Sequence, residues 1–196
     1  MVAGKPLPLV DLRIVDADMA DVPHDGKTPG EIVVRAPWLS MGYLNNAEAS
    51  EQVWAGGYLH TGDVATWSAD GAVHIVDRLK DIIKSGGEWI SSIGLEDIIS
   101  EKKGVRRVAV IAVRDEKWGE RPLALIVLDP DVAGKIGTDE IQAHLKTYVD
   151  RGIIPRLAIP ERIVFVDSVP LTAVGKIDKK VLREKYRVDE AAQSAA

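Results

Sequence analysis

Asp63 and Arg78 are the first residues whose types and spacing could do chemistry. Residues 64–67 and 72–76 are β-rich runs around Ser68-Ala69-Asp70-Gly71, a Gly-closed turn that predicts a hairpin. An antiparallel hairpin brings the outer ends of its strands together, so Asp63 and Arg78 should be neighbours. That places an acid able to accept hydrogen bonds from ribose hydroxyls beside a guanidinium able to donate to a ribose or phosphate oxygen. Lys80, Lys84, Gly86, Gly87 and Trp89 follow directly. Adjacent glycines let backbone approach a ligand closely or take positive φ, and the two lysines add positive charge beside it. This local chemistry suits a phosphorylated, nucleotide-like ligand.

The elements that must position these residues fall into two groups. Residues 7–15 predict a strand with Leu12 and Ile14 on one face, residues 16–30 a loop and 31–35 a second strand. Residues 46–53 suit a short helix capped by Asn46. With the hairpin they make a small, mostly β unit, too little for a complete domain. Beyond it, Ser92 can cap a helix whose Leu95, Ile98 and Ile99 share one face, with Gly104 ending it. Residues 108–113 and 123–128 are continuous apolar runs, which predict strands buried on both faces. Thr138 opens another helix, with Ile141, Leu145, Tyr148 and Val149 on one side, and Gly152 ends it. Residues 162–166 predict a strand, and Asp178 caps a last helix from Lys179 to about Tyr186. These elements predict a compact α+β domain.

Composition narrows the classes of function. A net charge of −5 and a pI near 5.4 argue against a nucleic-acid partner, because phosphate backbones demand basic faces. The absence of cysteine excludes disulfides and thiolate metal sites and fits a cytoplasmic protein. No apolar run approaches the roughly 18 residues needed to span a bilayer. His24, His60, His74 and His144 lack metal-ligand spacing, so no metal site is expected.

Three stretches carry a family resemblance: YLHTGD at 58–63, DRLKDIIKSGGEWIS at 77–91 and PLTAVGKIDKKVLR at 170–183. Together, in this order, they resemble signatures of the adenylate-forming acyl-CoA synthetases, the superfamily that includes firefly luciferase and peptide-synthetase adenylation domains. SGGEWISS is most similar to medium- and long-chain fatty-acid–CoA ligases. The implied fold class is α+β, a β-rich remnant of a larger N-terminal domain followed by a compact domain with a mainly antiparallel sheet flanked by helices. The implied domains are 1–77, the end of an AMP-binding domain; 78–188, a mobile C-terminal domain; and 189–196, a tail, of which residues 191–196 are expected to fray. No Gly-, Ser- and Thr-rich phosphate loop occurs here, so the chain is expected to be the C-terminal portion of an enzyme of roughly 500 or more residues.

The resemblance also implies roles. A carboxylate attacks the α-phosphorus of ATP to give acyl-adenylate, and the CoA thiol then displaces AMP while the small domain swings between the steps. Lys176 is similar to the lysine that reaches the carboxylate and α-phosphate. Asp63 resembles the acid that holds the ribose hydroxyls, with Arg78 its partner, and Lys80 matches the hinge position, its alternative being an ordinary linker lysine. Lys84, Gly86, Gly87 and Trp89 fall on the face used in thioester formation. Lys84 could equally be solvated charge, the glycines a turn before a helix, and Trp89 an anchor for that helix. Residues 118–122, Trp-Gly-Glu-Arg-Pro, also match a family stretch but read as a structural turn. The implied partners are the rest of the enzyme, ATP with Mg²⁺ held mostly elsewhere, CoA and a fatty acid. Two other classes stay open: an enzyme delivering its acyl group to a carrier protein or another acceptor, and a stand-alone, non-catalytic nucleotide- or CoA-binding module.

Overall fold

A computed structural model describes residues 2–132 and 134–193, with side chains as far as Tyr186. The chain forms two compact units, Met1–Lys80 and Asp81–Ala196.

The first unit is a five-stranded antiparallel sheet in the order β1-β5-β4-β3-β2, built from β1 (Val2–Gly4), β2 (Asp11–Val15), β3 (Gly30–Arg35), β4 (Leu59–Trp67) and β5 (Val73–Arg78). Alternation puts Ile14, Ile32, Ala65, Trp67 and Val73 into one core on a single face. The strand expected from residue 7 begins only at Asp11, because Leu9 takes a positive φ of 70° and the Val10 N–H donates back to the Leu7 carbonyl in a turn. Helix α1 (Ala47–Val53) starts as predicted, with the Asn46 side-chain oxygen accepting from the Ala49 N–H at 3.1 Å.

The second unit contains β6 (Ile83–Ser85), β7 (Glu88–Ile90), α2 (Ser92–Ser100), β8 (Val105–Asp115), β9 (Gly119–Leu128), α3 (Thr138–Asp150), β10 (Arg162–Phe165) and α4 (Lys179–Gln193). Its sheet runs β10-β9-β6-β7, with β8 also paired to β9; β10 pairs β9 in parallel and the other pairs are antiparallel. The apolar runs of β8 and β9 are continuous because both faces are covered. Val108, Val110, Ala124 and Ile126 pack with Leu95, Ile99, Ile141 and Leu145 from α2 and α3. Ala109, Ile111, Leu123 and Leu125 pack with Leu182 and Tyr186 from α4. At about 25 cal/mol per Å² of apolar area, this two-sided burial supplies most of the unit's stability.

Three boundaries differ from expectation. Ser91, not Ser92, caps α2: its hydroxyl accepts from the Gly94 N–H at 2.9 Å, and Ser92 is the first helical residue, fully buried. A short hairpin, β6–β7, precedes that helix where the glycine pair was expected to lead into it directly. Helix α4 continues to Gln193, past Tyr186; of the predicted tail, residues 194–196 lie outside the described residues. Among the described residues no helix is long and apolar enough to cross a membrane.

Candidate functional site

The hairpin brings Asp63 and Arg78 into direct register, and the Arg78 Nε donates to Asp63 Oδ1 at 2.7 Å. Arg78 is 57% exposed and Asp63 29%, so water competes with the pair and its contribution to stability is about 0–1 kcal/mol. An ion pair this accessible remains free to exchange partners with a ligand.

Asp63 is delivered by an irregularity in β4. Glu31 pairs with Val64 and Val33 with His60, so Thr61, Gly62 and Asp63 bulge out opposite Ile32. The bulge is held by Thr61 and by groups of β3. Thr61 Oγ1 donates to the Ile32 carbonyl at 2.8 Å and accepts the Asp63 N–H at 3.1 Å, while the Gly62 N–H donates to Glu31 Oε1 at 3.1 Å. Gly62 has φ of 70°, a conformation glycine adopts at little cost.

Lys80 is exposed in a turn between two anchored neighbours. The Leu79 N–H donates to the Gly62 carbonyl at 2.8 Å, holding it to the first unit, and the Asp81 carboxylate accepts from Arg183 of α4 within the second. Arg78 closes β5, and the first compact unit runs to Lys80.

Gly86 and Gly87 form the two-residue turn of the β6–β7 hairpin, with φ of 58° and 86°. Two successive positive φ values are what a type I′ hairpin turn requires. Lys84 faces Trp89 across the hairpin, its ammonium 5.0 Å from the ring centre, a cation–π contact worth roughly 0.5–1 kcal/mol at an exposed site. Trp89 is half-buried on β7, the strand that leads into α2.

Lys176 projects from a tight turn. The Gly175 N–H donates to the Thr172 carbonyl at 2.9 Å, the Thr172 N–H to the Lys176 carbonyl at 2.7 Å, and the Lys176 N–H to Thr172 Oγ1 at 3.2 Å. Leu171 and Ile177 close the turn as an antiparallel bridge, and the Asp178 side chain caps α4 through the Lys180 and Val181 N–H groups. The backbone is thus fixed while the Lys176 side chain is exposed.

Residues 94–176 match the family described as AMP-binding enzyme C-terminal domain. Residues 94–176 thus carry an AMP-binding enzyme C-terminal domain. Over 185 residues, 94% of the chain, it is 41% identical to a long-chain-fatty-acid–CoA ligase of Thermus thermophilus, of which it covers 33%. A 3-methylmercaptopropionyl-CoA ligase of Ruegeria lacuscaerulensis is 42% identical over 184 residues, again 94% of the chain and 32% of that protein. The chain thus spans about a third of the length of the curated relatives it matches. Among solved structures, the anthranilate CoA ligase AuaEII in complex with anthranoyl-AMP superposes with a TM-score of 0.79 at 29% identity, covering 97% of the chain and 36% of that protein. An amide bond synthetase of Marinactinospora thermotolerans superposes with a TM-score of 0.76 at 34% identity, covering 94% and 36%.

Within this AMP-binding C-terminal domain the 118–122 stretch does more than turn the chain. The Trp118 carbonyl accepts the Gly86 N–H at 2.9 Å, and Glu120 Oε2 accepts the Lys84 N–H at 2.8 Å, so the stretch cradles the glycine hairpin. Its chance of discovery lay in Trp118-Gly119-Glu120 itself, an aromatic and an acid around a glycine that takes φ of 81°. Sequence reasoning also missed Glu31, Thr61 and Thr172, whose side chains shape the backbone around Asp63 and Lys176. Among the described residues there is no group of three or more His, Asp or Glu side chains that could hold a metal ion.

The two glycines are expected to respond differently to substitution. A Cβ on Gly86 would lie 2.9 Å from Leu157 Cδ1 and 3.0 Å from Trp118 Cε3, whereas a Cβ on Gly87 would meet nothing within 4 Å. Gly87→Ala should cost about 1 kcal/mol for the left-handed backbone alone, and Gly86→Ala about 2 kcal/mol with the clash added. Urea unfolding of the chain checks this; equal midpoints for the two variants would contradict the packing described.

Proposed function

We propose that the chain is the C-terminal part of an ATP-dependent carboxylate–CoA ligase acting on fatty acids. The 41% identity to the Thermus long-chain-fatty-acid–CoA ligase along 94% of the chain carries this reading. The first unit is the end of the large AMP-binding domain, and the second, with boundaries near residues 78 and 188, is the mobile domain. Asp63 accepts the ribose hydroxyls and Arg78, released from its exposed ion pair, donates to ribose or phosphate oxygen. Lys176 brings a fixed cation to the negative charge that develops as the acyl carboxylate attacks the α-phosphorus. Lys80 is the pivot, supported by the anchoring of its neighbours Leu79 and Asp81 to different units, which leaves its own torsions to absorb rotation. Lys84, Gly86, Gly87 and Trp89 present the face for thioester formation, where small residues admit the CoA arm and the lysine favours an anionic ligand. Ligands for ATP phosphates and Mg²⁺ come from the larger part of the enzyme, and the protein works in the cytoplasm.

A second reading has an observation in its favour: the amide bond synthetase superposes with a TM-score of 0.76, so the acceptor could be an amine or a carrier-protein thiol in place of CoA. The full-length protein, given fatty acid and ATP, separates the two. Release of AMP on adding CoA, with formation of acyl-CoA, is the expected result; AMP release only with a carrier protein or amine favours the second reading. Acyl-adenylate made by the purified 196-residue chain alone would contradict the assignment of the phosphate ligands.

A further inference from the structure

We infer that Glu31 is the positioning residue for Asp63, holding the bulge through which Asp63 reaches a nucleotide. The inference deepens the proposed nucleotide role of Asp63 and rests on it. The Glu31 carboxylate belongs to β3, is 15% exposed, and has both oxygens committed to β4. Oε1 accepts the Gly62 N–H at 3.1 Å, and Oε2 lies 2.9 Å from His60 Nδ1. The other His60 ring nitrogen lies 3.2 Å from the Ala55 carbonyl.

The bulge explains why a carboxylate is needed at this place. Between His60 and Val64, β4 carries two more residues than β3 carries between Val33 and Glu31, so the bulged N–H groups have lost their ladder acceptors. The Ile32 carbonyl, which a regular ladder would offer to β4, is taken by Thr61 Oγ1. Glu31 Oε1 replaces it for Gly62. A partly buried N–H left unpaired would favour a different backbone path, and a shift at Gly62 would move the Asp63 side chain that follows it.

Gly62 also passes the constraint on. Its N–H is held by Glu31 and its carbonyl accepts the Leu79 N–H at 2.8 Å, so the two peptide groups flanking one residue fix both the acid that follows it and the residue before Lys80. The Glu31 carboxylate spends its two oxygens on Gly62 and His60, and its action on Asp63 is therefore indirect.

The test uses two readouts. In the 196-residue chain, amide hydrogen exchange of Gly62 should be at least about tenfold faster in Glu31→Ala than in wild type. Glu31→Gln, which keeps an acceptor oxygen, should restore most of the protection. In the full-length enzyme, Glu31→Ala should lower kcat/KM for ATP by about 10–100-fold while leaving KM for CoA unchanged, and Glu31→Gln should recover most of it. The double variant Glu31→Ala/Asp63→Ala should be no worse than Asp63→Ala, because Glu31 acts through Asp63. If Asp63→Ala impairs ATP use but Glu31→Ala is silent, or if the two losses multiply, the positioning role is overturned and the nucleotide role of Asp63 stands. If Asp63→Ala is itself silent, both fall.

Discussion

Lys176→Ala in the full-length enzyme is expected to slow acyl-adenylate formation by about 10²–10³-fold, equivalent to ~3–4 kcal/mol of transition-state stabilisation. The size follows from what the side chain would do: a fixed cation aimed at developing negative charge acts where water has been excluded, so nothing nearby replaces it. The fold should not notice the change. The 172–176 turn is held by backbone groups and by Thr172 Oγ1, and among the described residues no ion pair engages the Lys176 ammonium. Unfolding midpoints of wild type and variant should therefore agree. Lys176→Arg should rescue little, since a planar guanidinium fork cannot occupy the position of a compact ammonium. Pyrophosphate exchange into ATP is the assay; a variant with a normal exchange rate would show that Lys176 is a solvated surface residue.

Lys179→Ala is expected to destabilise the second unit by about 3 kcal/mol, lowering its thermal midpoint by roughly 10 °C. Three residues beyond Lys176, this lysine turns inward. Its ammonium lies 2.8 Å from Glu96 Oε1 and donates to Ser92 Oγ at 2.7 Å, with the two charged side chains only 12% and 16% exposed. The same Glu96 oxygen accepts the Val110 N–H at 2.7 Å, so the start of α4, the first turns of α2 and strand β8 meet at one carboxylate. Removing the cation takes this counter-ion from a largely buried charge, which costs more than the pair itself contributes. Lys179→Met keeps most of the packing volume and should lose nearly as much stability, and thermal unfolding of both variants distinguishes charge from volume. A loss under about 1 kcal/mol in Lys179→Met would assign the effect to packing.

How far the sequence could be read depended on the range of the signal. The meeting of Asp63 and Arg78 was legible because a hairpin turn fixes register locally, and the two-sided burial of β8 and β9 because an apolar run without alternation has to be covered on both faces. Asn46 and Asp178 announced their helices through capping chemistry confined to three residues. The β6–β7 hairpin was not legible, since its strands have three residues each and no periodicity can be read over such a length. Ser91 and Ser92 could each cap α2 by type, and the choice fell to packing, which buries Ser92 completely. The bulge at Thr61, Gly62 and Asp63 depends on Glu31 in another strand, and the place of Lys179 depends on Glu96 in another helix. Neither partnership has a local signature, so the residues that aim Asp63 and seat α4 emerge only from the folded chain. Asp63 and Lys176 were singled out through motif resemblance joined to chemistry, and the roles proposed for them rest on that resemblance.

As proposed, one small domain serves two half-reactions with different faces, Lys176 in the first and the Gly86-Gly87 hairpin in the second. The most direct test is single-turnover acyl-CoA formation by full-length Lys176→Ala, supplied with pre-formed acyl-adenylate and CoA. The expected result is a thioester-forming rate within about twofold of wild type, beside an adenylation rate reduced by roughly two to three orders of magnitude. An equal fall in both half-reactions, or in neither, would contradict it.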